Sequence, residues 1–351
     1  MMKCYRIIYL LTLSVFISCT KEGRNTELVL DVQIQTSAEQ SKAVYTGTKF
    51  PHNSSIGIFV YNAEESDPMS DFIPYGDMYK NIRSTYASTN KWNYRLGGVS
   101  SSSSPFDDGL YIKNPTIETY TQGVCVCAYS PWMSDVTDIR EIPFSVGGQY
   151  MSLTDLMYAD QNDSYTKIKP DGTQKSVPLT FKHALSMIRI GLKCQHDIST
   201  MTVTSITLES ADGENLTPLY TSGRFNAVTG EFHDLVSGKS VTTQYKGQNS
   251  GLDFTFDDSE YSYVSFLTVP VPEYIDQSYI LKFKFDNNNL SAAYRIRASD
   301  ITVTRGGNQI CAFEPGYIYT FNFVLDNYVQ IKNVNIDVSS EWTEVIREYP
   351  F

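Results

Sequence analysis

The sequence predicts an all-β protein, and three observations carry that expectation. Short runs with apolar–polar alternation recur along the chain, which is the period of a half-buried strand. Clusters of Gly, Pro, Asn, Asp and Ser separate these runs at the spacing typical of β-sandwiches. Twenty-five Tyr and 18 Phe supply the aromatic side chains that suit a pleated surface.

Taken in order, the expected strands are "ELVLDVQIQT", "SIGIFVYN", "GVCVCAYS", "SMIRIGLK", "VTSITLES", "YVSFLTVPV", "YILKFKF", "AYRIRA", "DITVTR" and "YIYTFNFVL". Helical periodicity is scarce; "SLTDLMYAD" alone has the spacing of one or two helical turns. The run "GGVSSSSSPFDDG", residues 97–109, reads as a projecting loop and "FDNNNLS" as a tight turn. No fixed-period repeat is present. A domain boundary is expected near residue 178, where the polar, Gly- and Pro-bearing "DGTQKSVPLTF" gives way to a fresh series of strands.

The N-terminus is built differently. Lys3 and Arg6 precede the uncharged stretch Ile7 to Ser18, the layout of a signal peptide. As a helix that stretch reaches only ~18 Å, short of the ~30 Å hydrocarbon core, so a permanent span is not expected. Ordinary signal peptidases want small residues one and three places before the cut, and Ser18 satisfies this while Phe16 does not. "FISC" instead resembles the lipobox of bacterial lipoproteins, which implies that Cys19 becomes the acylated first residue after removal of residues 1–18. The following "TKEG" resembles, over a short stretch, the export tag of Bacteroidetes surface lipoproteins.

Composition narrows the functional classes. The 28 Lys plus Arg against 39 Asp plus Glu leave a formal net charge of −11, which disfavours binding to a nucleic-acid backbone and reads as solubility at an exposed surface. Beyond Cys4 and Cys19, four cysteines remain: Cys125, Cys127, Cys194 and Cys311. They are too few for a disulfide framework. Cys125 and Cys127 fall at i, i+2 of one strand, facing the same way and poorly placed to bond each other; buried core cysteines are favoured over a metal or redox pair.

Catalytic signatures are missing from the sequence. His52, His183, His196 and His233 form no H-E-x-x-H pair, and neither G-x-S-x-G, G-x-x-x-x-G-K-S/T nor G-x-G-x-x-G occurs. The carboxylates of "FDDSE" (256–260) and "YADQNDS" (158–164) lack the Gly and distal Glu of an EF-hand loop and read as solvated. Neither an enzymatic activity nor a cofactor or metal is expected. Trp92, Trp132 and Trp342 with the many tyrosines suit either a sugar-stacking platform or core packing, and packing is the better fit.

The two terminal strands are the most informative. Leu28, Leu30, Val32 and Ile34 share one face of the first. Near the C-terminus Val334, Ile336 and Val338 alternate with Asn333, Asn335 and Asp337, while Val329 and Ile331 lie in the opposite phase. That slip predicts a bulge or kink. Two strands of like pattern at opposite ends suit competition for one groove, the first strand filling it within its own subunit and the last filling a neighbour's. Burial of Leu28, Leu30, Val32 and Ile34 amounts to roughly 6–12 kcal/mol gross, an upper bound, so spontaneous release would be rare. From periodicity alone, two ordinary edge strands remain the simpler reading.

A family resemblance then becomes specific. "VPLTFKHALSMIRIGLK" (177–193) resembles the signature of the fimbrillin-like proteins of Bacteroidetes, the subunits of type V pili. "IGIFVYN", "AYSPW" (128–132), "DLMYAD" (155–160), "GRFNAVTGEF" (223–232) and "EPGYIYTFNFVL" (314–325) follow in the family's order. The resemblance implies two tandem β-sandwich domains of transthyretin-like topology, residues 43–178 and 179–351. It also implies lipoprotein export to the outer membrane and proteolytic removal of a propeptide, residues 19–42, that carries the first strand. The matching cut lies after Lys42, making Ala43 the new N-terminus; the family's best-known cut follows Arg, so Lys42 is a departure, and uncut members serve as anchors. Partners implied are other pilus subunits. The rival from another class is a monomeric surface lipoprotein that binds a glycan or host protein.

Overall fold

The computed structural model describes residues 28–36, 50, 53–62, 73–74, 79–86, 92–95, 110–112, 124–147, 155–159, 176–194, 203–244, 260–285, 290–326 and 330–340. Ten strands lie in the first half: β1 (Leu28–Thr36), β2 (Ser55–Asn62), β3 (Ile73–Pro74), β4 (Ile82–Tyr86), β5 (Trp92–Arg95), β6 (Leu110–Ile112), β7 (Val124–Ser130), β8 (Ile142–Ser145), β9 (Met157–Ala159) and β10 (Ser176–His183). The second half holds β11 (Ser186–Cys194), β12 (Val203–Ser210), β13 (Tyr220–Asn226), β14 (Glu231–Ser237), β15 (Ser240–Gln244) and β16 (Ser262–Thr268). It continues with β17 (Tyr279–Phe285), β18 (Ser291–Arg295), β19 (Thr302–Arg305), β20 (Asn308–Cys311), β21 (Ile318–Leu325) and β22 (Ile331–Ser339).

The chain is all-β. One nine-stranded sheet runs β5-β4-β2-β7-β9-β10-β1-β6, with β3 attached to β2. Two four-stranded sheets, β16-β11-β21-β22 and β15-β12-β17-β18, come from the second half. These two face each other as a sandwich: the Phe283 ring of β17 meets Phe323 of β21 edge-on at 5.0 Å, and Tyr294 of β18 meets the same ring at 5.4 Å. Alternation explains the faces. Phe321, Phe323 and Leu325 of β21 are buried completely, while Thr320, Asn322 and Val324, which alternate with them, are half-buried.

The change of sheet falls between His183 and Ser186: β10 belongs to the nine-stranded sheet, and β11 pairs with β16 and β21. Residue 178 therefore lies inside β10. A fourth, three-stranded sheet, β14-β13-β8, draws on both sides of that point. In it Phe225 lies opposite Ile142, and Phe225 contacts both Tyr158 (5.0 Å) and Phe232 (4.8 Å). The "GRFNAVTGEF" hairpin thus packs second-half aromatics against first-half strands.

"SLTDLMYAD" corrects the helical expectation. Met157–Ala159 is strand β9, pairing with β10 on one side and β7 on the other. Ladder bonds to two neighbours and the burial of Met157 and Ala159 override a weak local preference. Helical structure includes a 3-10 turn at Ala298–Ile301, held by Asp300, whose Oδ2 accepts from the Arg297 amide (2.8 Å) and the Tyr294 hydroxyl (2.7 Å). Burial and the Asp300 carboxylate together push the Tyr294 phenol up to about 12. No helix among the described residues is long and apolar enough to cross a membrane.

Candidate assembly interface

The two strands singled out at the ends of the chain occupy different kinds of place. β1 is interior to its sheet. Its backbone runs parallel to β10, with Val32 opposite Val177, Ile34 opposite Leu179 and Thr36 opposite Phe181. On its other edge it runs antiparallel to β6, with Leu28 opposite Ile112 and Leu30 opposite Leu110. The wall that β10 presents is apolar: Leu179 is 0% and Phe181 1% exposed, and the Phe50 ring packs edge-on against Phe181 at 5.3 Å. Removing β1 would leave a gap with a strand edge on each side.

β22 stands at the edge of its sheet, with β21 as its partner among the described residues. The antiparallel register sets Val334 opposite Phe323, Ile336 opposite Phe321 and Val338 opposite Tyr319, while Asn335 and Asp337 lie opposite Asn322 and Thr320. Opposed residues share a sheet face, so apolar meets apolar and polar meets polar. Ile331, Val334, Ile336 and Val338 pack against the core but stay half-buried. The predicted slip is present as a register shift: Val324 faces Asn333, whereas Leu325 faces Ile331. Lys332 is the extra residue, and its Nζ lies 3.0 Å from Asp326 Oδ2. Asp326 also accepts from the Gln330 amide through Oδ1 at 2.9 Å. The strand's apolar phase therefore resets at a charged, hydrogen-bonded corner. Such a bulge and exposed polar residues keep an edge from pairing indiscriminately.

Under β22, the Tyr319 hydroxyl donates to the Ala312 carbonyl (2.7 Å) and accepts from the Glu314 amide (2.7 Å). Burial raises its phenol well above the ordinary range. Cys194, opposite Leu325, is a free buried thiol pushed up to about 11 by burial. Cys125 and Cys127 are likewise free and buried, and Cys311 is free and partly exposed. Burial of Cys125, Cys127 and Cys194 keeps these three thiols in the core.

Cys19, Lys42, Ala43, Val329, Trp342 and the serine run at 97–109 lie outside the described residues. Other candidates resolve as structure. Trp132 donates its indole N–H to the Asn81 carbonyl (3.2 Å) and carries the Arg83 guanidinium over its ring at 4.7 Å, so that face is occupied. The largest fully buried side chains are Tyr86, Tyr129, Tyr279 and Tyr319 with five phenylalanines, which places much aromatic mass in the core. Glu141, just before β8, clusters with His233 and Asp234 of β14. His233 Nε2 lies 3.0 Å from the Arg140 carbonyl, which only accepts, so this nitrogen carries a proton and is not a ligand. That hydrogen bond, with Glu141 and Asp234 nearby, raises the imidazole above its usual range.

Two features escaped the sequence. The parallel partner of β1 carries no local signal, because parallel neighbours are set by long connections. The buried hydrogen bond between His183 Nδ1 and Asp155 Oδ2, 2.7 Å, joins residues 28 positions apart in the chain.

Solved structures share this architecture. A candidate cell adhesion protein of Bacteroides ovatus superposes with a TM-score of 0.55 at 15% identity, over 91% of this chain and 99% of its own. One from Bacteroides uniformis gives 0.52 at 14%, over 90% and 98%. A fimbrial protein of Bacteroides vulgatus gives 0.50 at 15%, over 90% and 99%. At such identities the likeness establishes the fold. No curated protein sequence matches the chain. The family model described as fimbrillin-like matches residues 41–342, a span that takes in both β10 with its groove wall and the whole of β22. The chain belongs to the fimbrillin-like family of fimbrial proteins.

Proposed function

We propose that this fimbrial protein is a polymerising subunit of a cell-surface pilus, in which β1 is a removable plug and β22 the strand donated to the next subunit. The observation that carries the reading is the asymmetry of the two terminal strands: among the described residues β1 is paired on both edges and β22 on one. Loss of an interior strand opens a groove that demands another strand. An edge strand whose apolar residues are half-buried is the one most easily spared: four half-buried residues hold it with about half the gross energy of four fully buried ones, about 3–6 kcal/mol.

The same reading assigns the N-terminal residues. Cys19 carries the lipid that delivers the subunit to the outer-membrane surface, and cleavage between Lys42 and Ala43 removes residues 19–42 with β1. Leu28, Leu30, Val32 and Ile34 fill the groove beforehand; Val329, Ile331, Val334, Ile336 and Val338 fill a neighbour's afterwards. The role is structural and adhesive rather than catalytic, with other pilus subunits as partners. Lys42→Ala tests it: the variant should accumulate as a full-length lipidated monomer, and normal polymers from it would refute the cleavage step. A permanently lipidated wild-type monomer would instead favour an anchor or a glycan-binding surface lipoprotein.

A further inference from the structure

We infer that Asp155 and His183 form a positioning contact that keeps β10 in register as the wall of the β1 groove. The inference rests on the reading of β10 as the acceptor strand, but its test does not require assembly.

The contact sits where the groove needs support. Asp155 lies two residues before the start of β9, and His183 closes β10 just before the chain crosses to β11. His183 Nδ1 and Asp155 Oδ2 are 2.7 Å apart, with each side chain 1% exposed. One residue on, the Ala184 amide donates to the Leu156 carbonyl at 2.8 Å. β9 pairs with β10 through Ala159–Phe181, Tyr158–Lys182 and Met157–His183, while the opposite edge of β10 carries β1 as far as Thr36–Phe181. Phe181 is therefore shared: β9 holds it from one side and β1 pairs with it from the other.

The chemistry points to geometry rather than stability. A buried polar pair gains little net energy unless all its atoms are satisfied, and Asp155 Oδ1 is buried with no hydrogen-bond partner. Among the described residues three pairs set the β9–β10 register, with the Ala184–Leu156 bond beyond them. The polar pair adds to the cost of a one-residue slip. Such a slip would turn His183 to the other face, leave the Asp155 carboxylate buried alone, and rotate Leu179 and Phe181 out of the groove wall.

Amide hydrogen exchange on the full-length monomer tests this segment by segment. His183→Ala should speed exchange by about tenfold or more in 28–36 and 177–182, while 281–285 and 321–325 change by less than about twofold. His183→Phe, which keeps the volume and removes the hydrogen bond, should give the same local pattern if the alanine variant fails to fold. Asp155→Asn, which still offers an oxygen to His183 Nδ1–H, should stay within about threefold of the wild type. Uniform acceleration across both halves, an unchanged 28–36, or Asp155→Asn behaving like His183→Ala would each overturn the inference. Because only monomer is measured, failure of pilus assembly leaves these outcomes intact.

Discussion

Ile336 of β22 lies directly opposite Phe321 of β21, and the pair joins the C-terminal strand to the core of its own subunit. Phe321 is fully buried and Ile336 half-buried. The donor candidate is thus docked at home through one row of cross-strand contacts. Ile336→Asn should lower stability by about 1–2 kcal/mol, less than the ~2–5 kcal/mol typical of truncating a fully buried Ile, because part of the side chain is already in water. Chemical denaturation measures the loss, and amide exchange should rise most in 331–339.

Gly230 and Gly306 both adopt positive φ, +74° and +57°, and differ in surroundings. A Cβ at Gly230 would sit 2.5 Å from the Tyr158 hydroxyl oxygen; at Gly306 nothing lies within 4 Å. Gly306→Ala should therefore cost about 1 kcal/mol from backbone strain alone. Gly230→Ala should cost about 2–3 kcal/mol, because Tyr158 must move off Phe225. Denaturation midpoints of the two variants, compared side by side, check the order.

His233 makes the seam between the halves sensitive to pH. Its folded imidazole is raised by the hydrogen bond to the Arg140 carbonyl, supported by Glu141 and Asp234. A raised value means that the protonated form is the better partner in the folded state. The stabilisation is fully present below the unfolded value of about 6.5 and is lost as pH climbs through the higher folded value. Solvent screening keeps it small, since the side chain is 35% exposed. Urea midpoints of wild type and His233→Gln should differ more at pH 6 than at pH 8.5; an equal difference at both would contradict the assignment.

Much of the fold was legible in the sequence because alternation is a local property. "YIYTFNFVL" and "SMIRIGLK" predict their strands and buried faces, and the phase slip between Ile331 and Val334 predicts the bulge found at Lys332. Pairing was not legible. That β1 lies between β10 and β6, or that β8 joins β13, depends on contacts across some eighty residues or more, and no spacing rule reports them. "SLTDLMYAD" read as helix because the three residues of β9 are too few to show a period of two. His183 stood alone in sequence, since its partner Asp155 is 28 positions away. Cys19, Lys42 and Ala43 lie outside the described residues, and the roles proposed for them rest on sequence.

Assembly as proposed requires that β1 depart before β22 of a neighbour takes its place. The N-terminal residue of protein recovered from intact surface polymers tests it most directly. Chains beginning at Ala43, with residues 28–36 missing from every polymerised copy, are the predicted result. Polymers whose subunits retain residues 28–36 would contradict it.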